Sequence, residues 1–231
     1  MISPTNLMKR LGVGGRLVAF FKAVCVYFVV AGGEAGEAPS VAGVAAKCAP
    51  VLCLMVLVAL HALDAPAHCS DRRAYGARVA AGLALSALGD ALLVWPQHFV
   101  AGMGAFAGAH VAYLSAFGWQ GSAPRAAAAC YGGCGAYLCV VAPGGLLARL
   151  VPGYALLLAT LCWRGAARGG PAAAGAALFL VSDAALGYSL WAGPLPHRRL
   201  VVMSTYYLGQ LGIALSALQP HPPAPPRAHA Q

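Results

Sequence analysis

The amino-acid sequence predicts an all-α, polytopic membrane protein with about eight transmembrane helices. Of its 231 residues, 60% are hydrophobic and only 9% are charged, and the mean hydropathy is +0.72. A soluble domain carries about 25% charged residues. The apolar residues come in blocks of about 17 to 23, the length that a helix needs to cross a bilayer. No ten-residue stretches alternate apolar and polar residues, as the strands of a membrane β-barrel would.

Eight blocks are long enough to be spans, and short polar segments separate them. In chain order they cover residues 16–31, 41–63, 77–95, 98–119, 125–142, 145–162, 170–191 and 199–218. The first lacks a convincing cleavage site, so we expect a retained helix and not a signal peptide. A Gly/Pro-rich turn at 32–40 and a longer loop at 64–76 precede the second and third spans. We therefore expect residues 1–231 to form one integral membrane domain, with a cytosolic segment at 1–15 and a Pro-rich disordered tail at 219–231.

Basic residues set the predicted orientation. The net charge is +9, but the basic residues lie mostly in short loops, where they meet lipid headgroups rather than nucleic acid. If the N-terminus is cytosolic, ten Lys and Arg residues fall on the cytosolic side and three on the other. This bias predicts that both termini are cytosolic.

Two carboxylates lie deep in apolar runs, Asp90 in the third span and Asp183 in the seventh. The other four acidic residues are not in such runs. A carboxylate in hydrocarbon is costly and by default marks a functional site. Tyr113 and Tyr206 each follow one aspartate by 23 residues, which suggests a four-plus-four parallel repeat. Both aspartates lie toward the non-cytosolic ends of their spans.

Two carboxylates that face one cavity are suited to the acid hydrolysis of an acetal-like bond. One stays protonated and donates, while the other is ionised and stabilises a developing cation or orients water. Glycosidases use such a pair for an oxocarbenium-like transition state. Two other interpretations stay open: a structural pair, sharing a proton or paired with Lys47, and a proton path in a transporter or lipid-binding membrane protein. The absence of obviously broken inverted-repeat helices argues against a transporter.

Polar side chains in two other spans are candidate walls of a substrate cavity. His110 and Tyr113 share one face of the fourth span. Tyr206 and Tyr207 are both helix neighbours of Gln210 in the eighth span. The alternative for both groups is a set of hydrogen bonds between helices.

Three basic residues have two interpretations each. Lys47 either extends to the membrane interface or reaches inward as the counter-charge of a carboxylate or phosphate. Arg198 and Arg199 lie on the side toward which both aspartates lean. They either anchor the interface or bind a phosphate-bearing headgroup.

The sequence does not predict a metal site. His110 is the only histidine well inside a span, whereas a zinc amide hydrolase in the membrane would need about three ligands plus water. Seven of the eight cysteines lie in or beside apolar segments, where buried thiols are expected. Cys130 and Cys134 are spaced as helix neighbours, but no second pair has zinc spacing.

Four motifs together resemble the lysoplasmalogenase family of membrane proteins, the YhhN-like family that includes transmembrane protein 86. They are LSALGDALLVW, FVAGMGAFAGAHVAYLSAF, LVSDAAL and VVMSTYYLGQLGIA, in this order over spans three to eight. One departure is KCAP at 47–50, where a Lys-Pro start is expected in the family.

The resemblance implies an eight-span enzyme that hydrolyses the vinyl ether bond of lysoplasmalogens. The products are a fatty aldehyde and a glycerophospho-ethanolamine or -choline, and neither metal nor organic cofactor is required. Asp90 and Asp183 are the expected catalytic pair. The expected substrate-binding residues are Lys47, His110, Tyr113, Ser182, Arg198, Arg199, Tyr206, Tyr207 and Gln210. The expected partners are the lysophospholipid substrate and membrane lipid, with the endoplasmic reticulum or another intracellular membrane as location. The oligomeric state is left open, a homodimer included.

Overall fold

The computed structural model describes residues 13–32, 39–66 and 69–219. Within these ranges the chain forms eight α-helices and no strand, as the sequence predicts. The helices are α1 (Val13–Gly32), α2 (Val41–Leu63), α3 (Ser70–Leu92), α4 (Phe99–Phe117), α5 (Pro124–Val140), α6 (Leu147–Arg168), α7 (Gly170–Trp191) and α8 (Arg198–Ser216). A single 3₁₀ turn, Pro96–His98, leads into α4.

Within the part of the chain that the structure describes, five helices are long and apolar enough to cross a membrane: α1, α2, α4 with its preceding turn, α6 and α7. This agrees with the predicted polytopic membrane protein. Helix α5 has 17 residues and is shorter. Helices α3 and α8 begin with charged residues and carry further polar side chains inside the bundle. Insertion of such helices depends on turning their polar groups away from lipid.

Two helices extend furthest beyond the predicted spans. Helix α3 begins at Ser70, inside the segment that we expected to be a loop, and α6 continues six residues past the predicted end at 162. Hydropathy marks where a chain crosses hydrocarbon, whereas a helix continues into the polar interface when its charges suit its ends. Asp71 lies in the first turn of α3 and Arg168 in the last turn of α6, the signs that the helix dipole favours.

Several predicted segments lie outside the described residues. They are residues 1–12 of the N-terminal segment, 33–38 of the first turn, 67–68 of the longer loop and 220–231 of the tail. The predicted single domain and four-plus-four repeat remain predictions.

The helices form one bundle, and consecutive helices pack against each other at every step except from α4 to α5. Short connections make these neighbours antiparallel. Helix α8 also packs against α2 and α3, and α4 against α6, which closes the bundle. As a result α1, α3, α5 and α7 end where α2, α4, α6 and α8 begin. This end of the bundle contains the site described below.

The close contact between the backbones of α7 and α8 depends on glycine. A Cβ on Gly175 would lie 2.5 Å from the main-chain nitrogen of Ile213, and one on Gly212 would lie 2.7 Å from Gly175 Cα. Backbones approach this closely only where side chains are absent. Gly89 of α3 makes room for the ring of Phe106, which packs against Tyr206 of α8. These contacts fix the helices that carry the two intramembrane aspartates.

Candidate active site

A cavity of about 890 Å³ lies at the end of the bundle where α2, α4, α6 and α8 begin. Every one of the eight helices contributes to its lining, which is mostly apolar. Its charged lining residues are Lys47, Asp90, Asp183, Arg198 and Arg199. A mostly apolar cavity of several hundred Å³ with a few converging polar groups is typical of a small-molecule site.

Each oxygen of the Asp90 carboxylate has its own partner. The residue is only 1% exposed, and its carboxylate forms an ion pair with Lys47, with Nζ 3.4 Å from Oδ1. Lys47 Nζ also donates to the main-chain oxygen of Asp90 at 3.4 Å. The hydroxyl of Tyr206 on α8 donates to Oδ2 at 2.6 Å. Both carboxylate oxygens therefore have a donor, and Lys47 reaches inward.

The departure from the Lys-Pro start does not stop Lys47 from pairing with Asp90. The hydroxyl of Tyr207 donates to the main-chain oxygen of Lys47 at 2.9 Å and ties α8 to this turn of α2. Helix α8 thus touches both members of the ion pair, Asp90 through Tyr206 and Lys47 through Tyr207.

Asp183 has different surroundings. It is partly exposed, and the hydroxyl of Tyr154 on α6 donates to its Oδ2 at 2.5 Å. Across the described ranges, no Lys, Arg or His forms a salt bridge with it. The preceding residue, Ser182, also lines the cavity and donates its hydroxyl to the main-chain oxygen of Val202 at 2.9 Å.

Sequence reasoning missed Tyr154. Its one signal is a phenol inside an apolar segment, where a buried hydroxyl needs a partner. Several other tyrosines carry the same signal, so it did not identify this one.

Arg198 and Arg199 lie at the first two positions of α8 and are exposed. Arg199 donates through Nη1 to the main-chain oxygen of Ala31, which ties α8 to the end of α1. His197 precedes them in the left-handed region, with φ 51°. The two guanidinium groups are cationic donors on the side of the cavity nearest the end of the bundle.

Four predicted substrate-binding residues are buried but are not among the cavity-lining residues: His110, Tyr113, Tyr207 and Gln210. Tyr113 donates to Gln210 Oε1 at 2.7 Å and lies 3.3 Å from Ser86 Oγ. The ring of His110 packs against Phe179 at 4.9 Å. These contacts connect helices in the layer behind the cavity wall.

The donor set of the site is suited to proton transfer. Among the residues that the structure describes, no three His, Cys, Asp or Glu side chains are grouped to hold a metal ion. What the cavity offers is two carboxylates, one ammonium paired with the first, and a phenol on each. Such a set can donate a proton to a substrate, accept one from water and stabilise a cation between these steps.

Comparison with known proteins gives consistent matches over most of the chain. Residues 42–217 match the YhhN family. The chain is 43% identical over 223 residues to "Lysoplasmalogenase TMEM86B" of Sus scrofa, covering 94% of this chain and 92% of the relative. It is 39% identical over 214 residues to "Lysoplasmalogenase TMEM86B" of Homo sapiens, with 88% and 86% covered. It is 36% identical over 242 residues to "Lysoplasmalogenase TMEM86A" of Homo sapiens, with 96% of each covered. No solved structure matches significantly.

Proposed function

Because the chain belongs to the YhhN family, we propose that it is a lysoplasmalogenase of the membrane. It adds water across the vinyl ether bond of a 1-alkenyl lysophospholipid and releases a fatty aldehyde and a glycerophospho-ethanolamine or -choline. The observation that carries the chemistry is that Asp90 and Asp183, from different helices, line the same cavity. The names of the relatives supply the substrate class.

In the first step, one aspartic acid donates its proton to the vinyl carbon that is not bonded to oxygen. The π electrons of the double bond form the new C–H bond, and an oxygen lone pair stabilises the adjacent carbon as an oxocarbenium ion. The proton donor is left as a carboxylate. The other carboxylate stabilises this cation, as in the oxocarbenium-like transition states of glycosidases.

In the second step, water attacks the oxocarbenium carbon and gives its proton to the second carboxylate. The resulting hemiacetal then collapses. Its hydroxyl proton returns to the first aspartate, the carbon–oxygen bond to glycerol breaks, and the glycerol oxygen takes the proton from the second aspartate. Both carboxyl groups return to their starting states, so the cycle consumes only substrate and water.

The cavity offers separate surroundings for the two ends of such a lipid. We propose that Arg198 and Arg199 bind the phosphate, since guanidinium groups form charge-assisted hydrogen bonds with phosphate oxygens. The alkenyl chain lies along the apolar walls that α5 and α6 contribute. In this proposal the vinyl ether, which lies between headgroup and chain, reaches the two carboxylates that line the same cavity.

We also propose that both termini are cytosolic and that the membrane is intracellular, the endoplasmic reticulum being the first one to examine. The ten-to-three bias of basic residues supports this orientation. In sealed microsomes, protease added outside should digest tags at both termini. Digestion of only one tag would contradict an even number of spans.

The test of the function is aldehyde release by purified protein in detergent or vesicles. The substrate is a 1-alkenyl lysophosphatidylethanolamine, and the control is its saturated 1-alkyl ether, which cannot form the oxocarbenium ion by protonation. In D₂O the aldehyde, trapped by reduction to the alcohol, should carry one deuterium on the carbon next to the former carbonyl. No aldehyde from the alkenyl lipid would refute the proposal.

A further inference from the structure

The two carboxyl groups have unequal partners, and this inequality assigns their roles. Asp90 has an ammonium group at 3.4 Å and a tyrosine hydroxyl at 2.6 Å. Asp183 has the Tyr154 hydroxyl at 2.5 Å and no cation in the described contacts. We infer that Tyr154 is a positioning residue, which orients Asp183 as the proton donor, whereas Asp90 is the carboxylate that acts on water. This inference rests on the proposed function.

Charge decides which aspartate starts the cycle ionised. Two carboxylates that share an apolar cavity repel each other if both are charged, so the site favours one negative charge. The Lys47 ammonium compensates that charge at Asp90, because a buried carboxylate is stable only beside a partner. The proton that the first step needs is then on Asp183.

The Tyr154 hydrogen bond fits a donor role for Asp183. The phenol donates to Oδ2, and Asp183 lines the cavity, so Oδ1 is the oxygen that we assign the proton. As this proton moves to the vinyl carbon, negative charge develops over both oxygens. A hydrogen bond that is already in place then strengthens, and it lowers the barrier without reorganisation.

A ring contact on the side away from Asp183 limits the orientation of Tyr154 and therefore the direction of its hydroxyl. The ring of Tyr154 packs against the ring of His110, with centroids 5.2 Å apart, and His110 packs in turn against Phe179. His110 is fully buried in the fourth helix. The contacts that place His110 behind the cavity wall therefore support the group that orients Asp183.

The first experiment compares Tyr154→Phe with Tyr131→Phe. Tyr131 lies on the neighbouring helix α5, its hydroxyl contacts Thr160 at 2.9 Å, and it is exposed. Tyr154→Phe should lower kcat about 10- to 100-fold, the loss expected for one hydrogen bond to a group that becomes charged. Its KM should stay within about threefold of the wild type, and Tyr131→Phe should change neither constant. An unchanged kcat in monodisperse Tyr154→Phe protein overturns the inference.

The second experiment identifies the proton donor without relying on Tyr154. In D₂O, Asp90→Asn still protonates the vinyl carbon but captures the cation slowly. The cation then reverts, and substrate recovered from the reaction carries deuterium at that carbon. Asp183→Asn, which lacks the donor, should give no exchange above the uncatalysed background. The opposite pattern reverses the two roles and overturns the inference. Failure of the wild-type protein to release aldehyde would instead refute the proposed function.

Discussion

The two ends of the bundle use their buried polar groups in opposite ways. At the cavity end, Asp90, Asp183 and Lys47 face a space that a ligand can enter. At the other end, Arg164 of α6 is as buried as Asp90, at 1% exposure. Its guanidinium lies over Trp163 at 5.0 Å, and each of its three nitrogens donates to a main-chain oxygen of the loop between α4 and α5.

Each of the three guanidinium nitrogens of Arg164 donates a hydrogen bond within the protein. Nε donates to the oxygen of Gly118 at 2.9 Å, Nη1 to that of Gly121 at 2.8 Å, and Nη2 to that of Gln120. Nearby, the hydroxyls of Tyr75 and Ser216 are 2.7 Å apart and join α3 to α8. The comparison shows that burial alone does not distinguish a candidate catalytic group from a structural one. The two kinds of group differ in whether they face a cavity or donate all their hydrogen bonds to other parts of the protein.

The largest expected effect on turnover is at the two aspartates. Asp90→Asn and Asp183→Asn should each lower kcat about 10²- to 10⁴-fold, because each removes positioned proton transfer or charge stabilisation at nearly constant size. The double variant should be scarcely worse than either single one, since the two groups act as a unit. Aldehyde release per mole of monodisperse protein measures this, with Asp71→Asn outside the cavity as the control.

Near-normal activity in either aspartate variant would contradict the two-carboxylate mechanism. The proton-coupled transporter would then become the leading interpretation. Poor expression of both variants together with normal activity of the folded fraction would make the aspartates a structural pair.

The next largest effect is expected at Lys47. Lys47→Met keeps the length of the side chain but removes the ammonium, so the charge of Asp90 loses its compensation. We expect kcat to fall about 10- to 100-fold. The control is Lys22→Met, because Lys22 is an exposed lysine of α1. Equal kcat in both variants would show that the Lys47–Asp90 ion pair is structural, like the hydrogen bonds of Arg164.

A smaller effect, on binding, is expected at the start of α8. Arg198→Ala combined with Arg199→Ala should raise KM about tenfold and change kcat less than about threefold, as expected when groups bind only the headgroup. Arg149→Ala is the matched control, since Arg149 is exposed at the same end of the bundle but does not line the cavity. An unchanged KM would assign the two arginines to interface anchoring.

At the opposite end we expect an effect on stability and none on turnover. Arg164→Met removes donors from three main-chain oxygens and should lower the free energy of unfolding by about 2–4 kcal/mol. The test measures both thermal unfolding in detergent and aldehyde release per folded molecule, for the variant and the wild type. A loss of turnover in fully folded protein would mean that the two ends are not independent.

The sequence predicts the helices and the two aspartates for physical reasons that need no tertiary structure. A span requires about 20 apolar residues, and a carboxylate within it is costly enough to be informative alone. Asp90 and Asp183 stand out for this reason among only six acidic residues.

The rest of the site depends on how each helix is rotated about its axis, which the sequence does not specify. Membrane helices are apolar on faces that meet lipid and on faces that meet protein, so periodicity gives little direction. Tyr113 and Tyr154 have similar sequence surroundings, yet the first joins helices through Gln210 and the second contacts Asp183. The direction of Lys47 likewise depends on Asp90, which is 43 residues away in sequence.

The glycine contact between α7 and α8 has a mechanical consequence for the two carboxyl groups. Helix α7 carries Asp183, and α8 carries the tyrosine that holds Asp90, so the contact helps to set the distance between the acids. Gly212 lies six residues beyond Tyr206, about 9 Å along the helix and away from the cavity. A methyl group there forces the backbones apart, and the spacing of the acids changes with them. Gly212→Ala should therefore slow turnover from a position that no substrate reaches, whereas Gly132→Ala, whose Cβ meets nothing within 4 Å, should not.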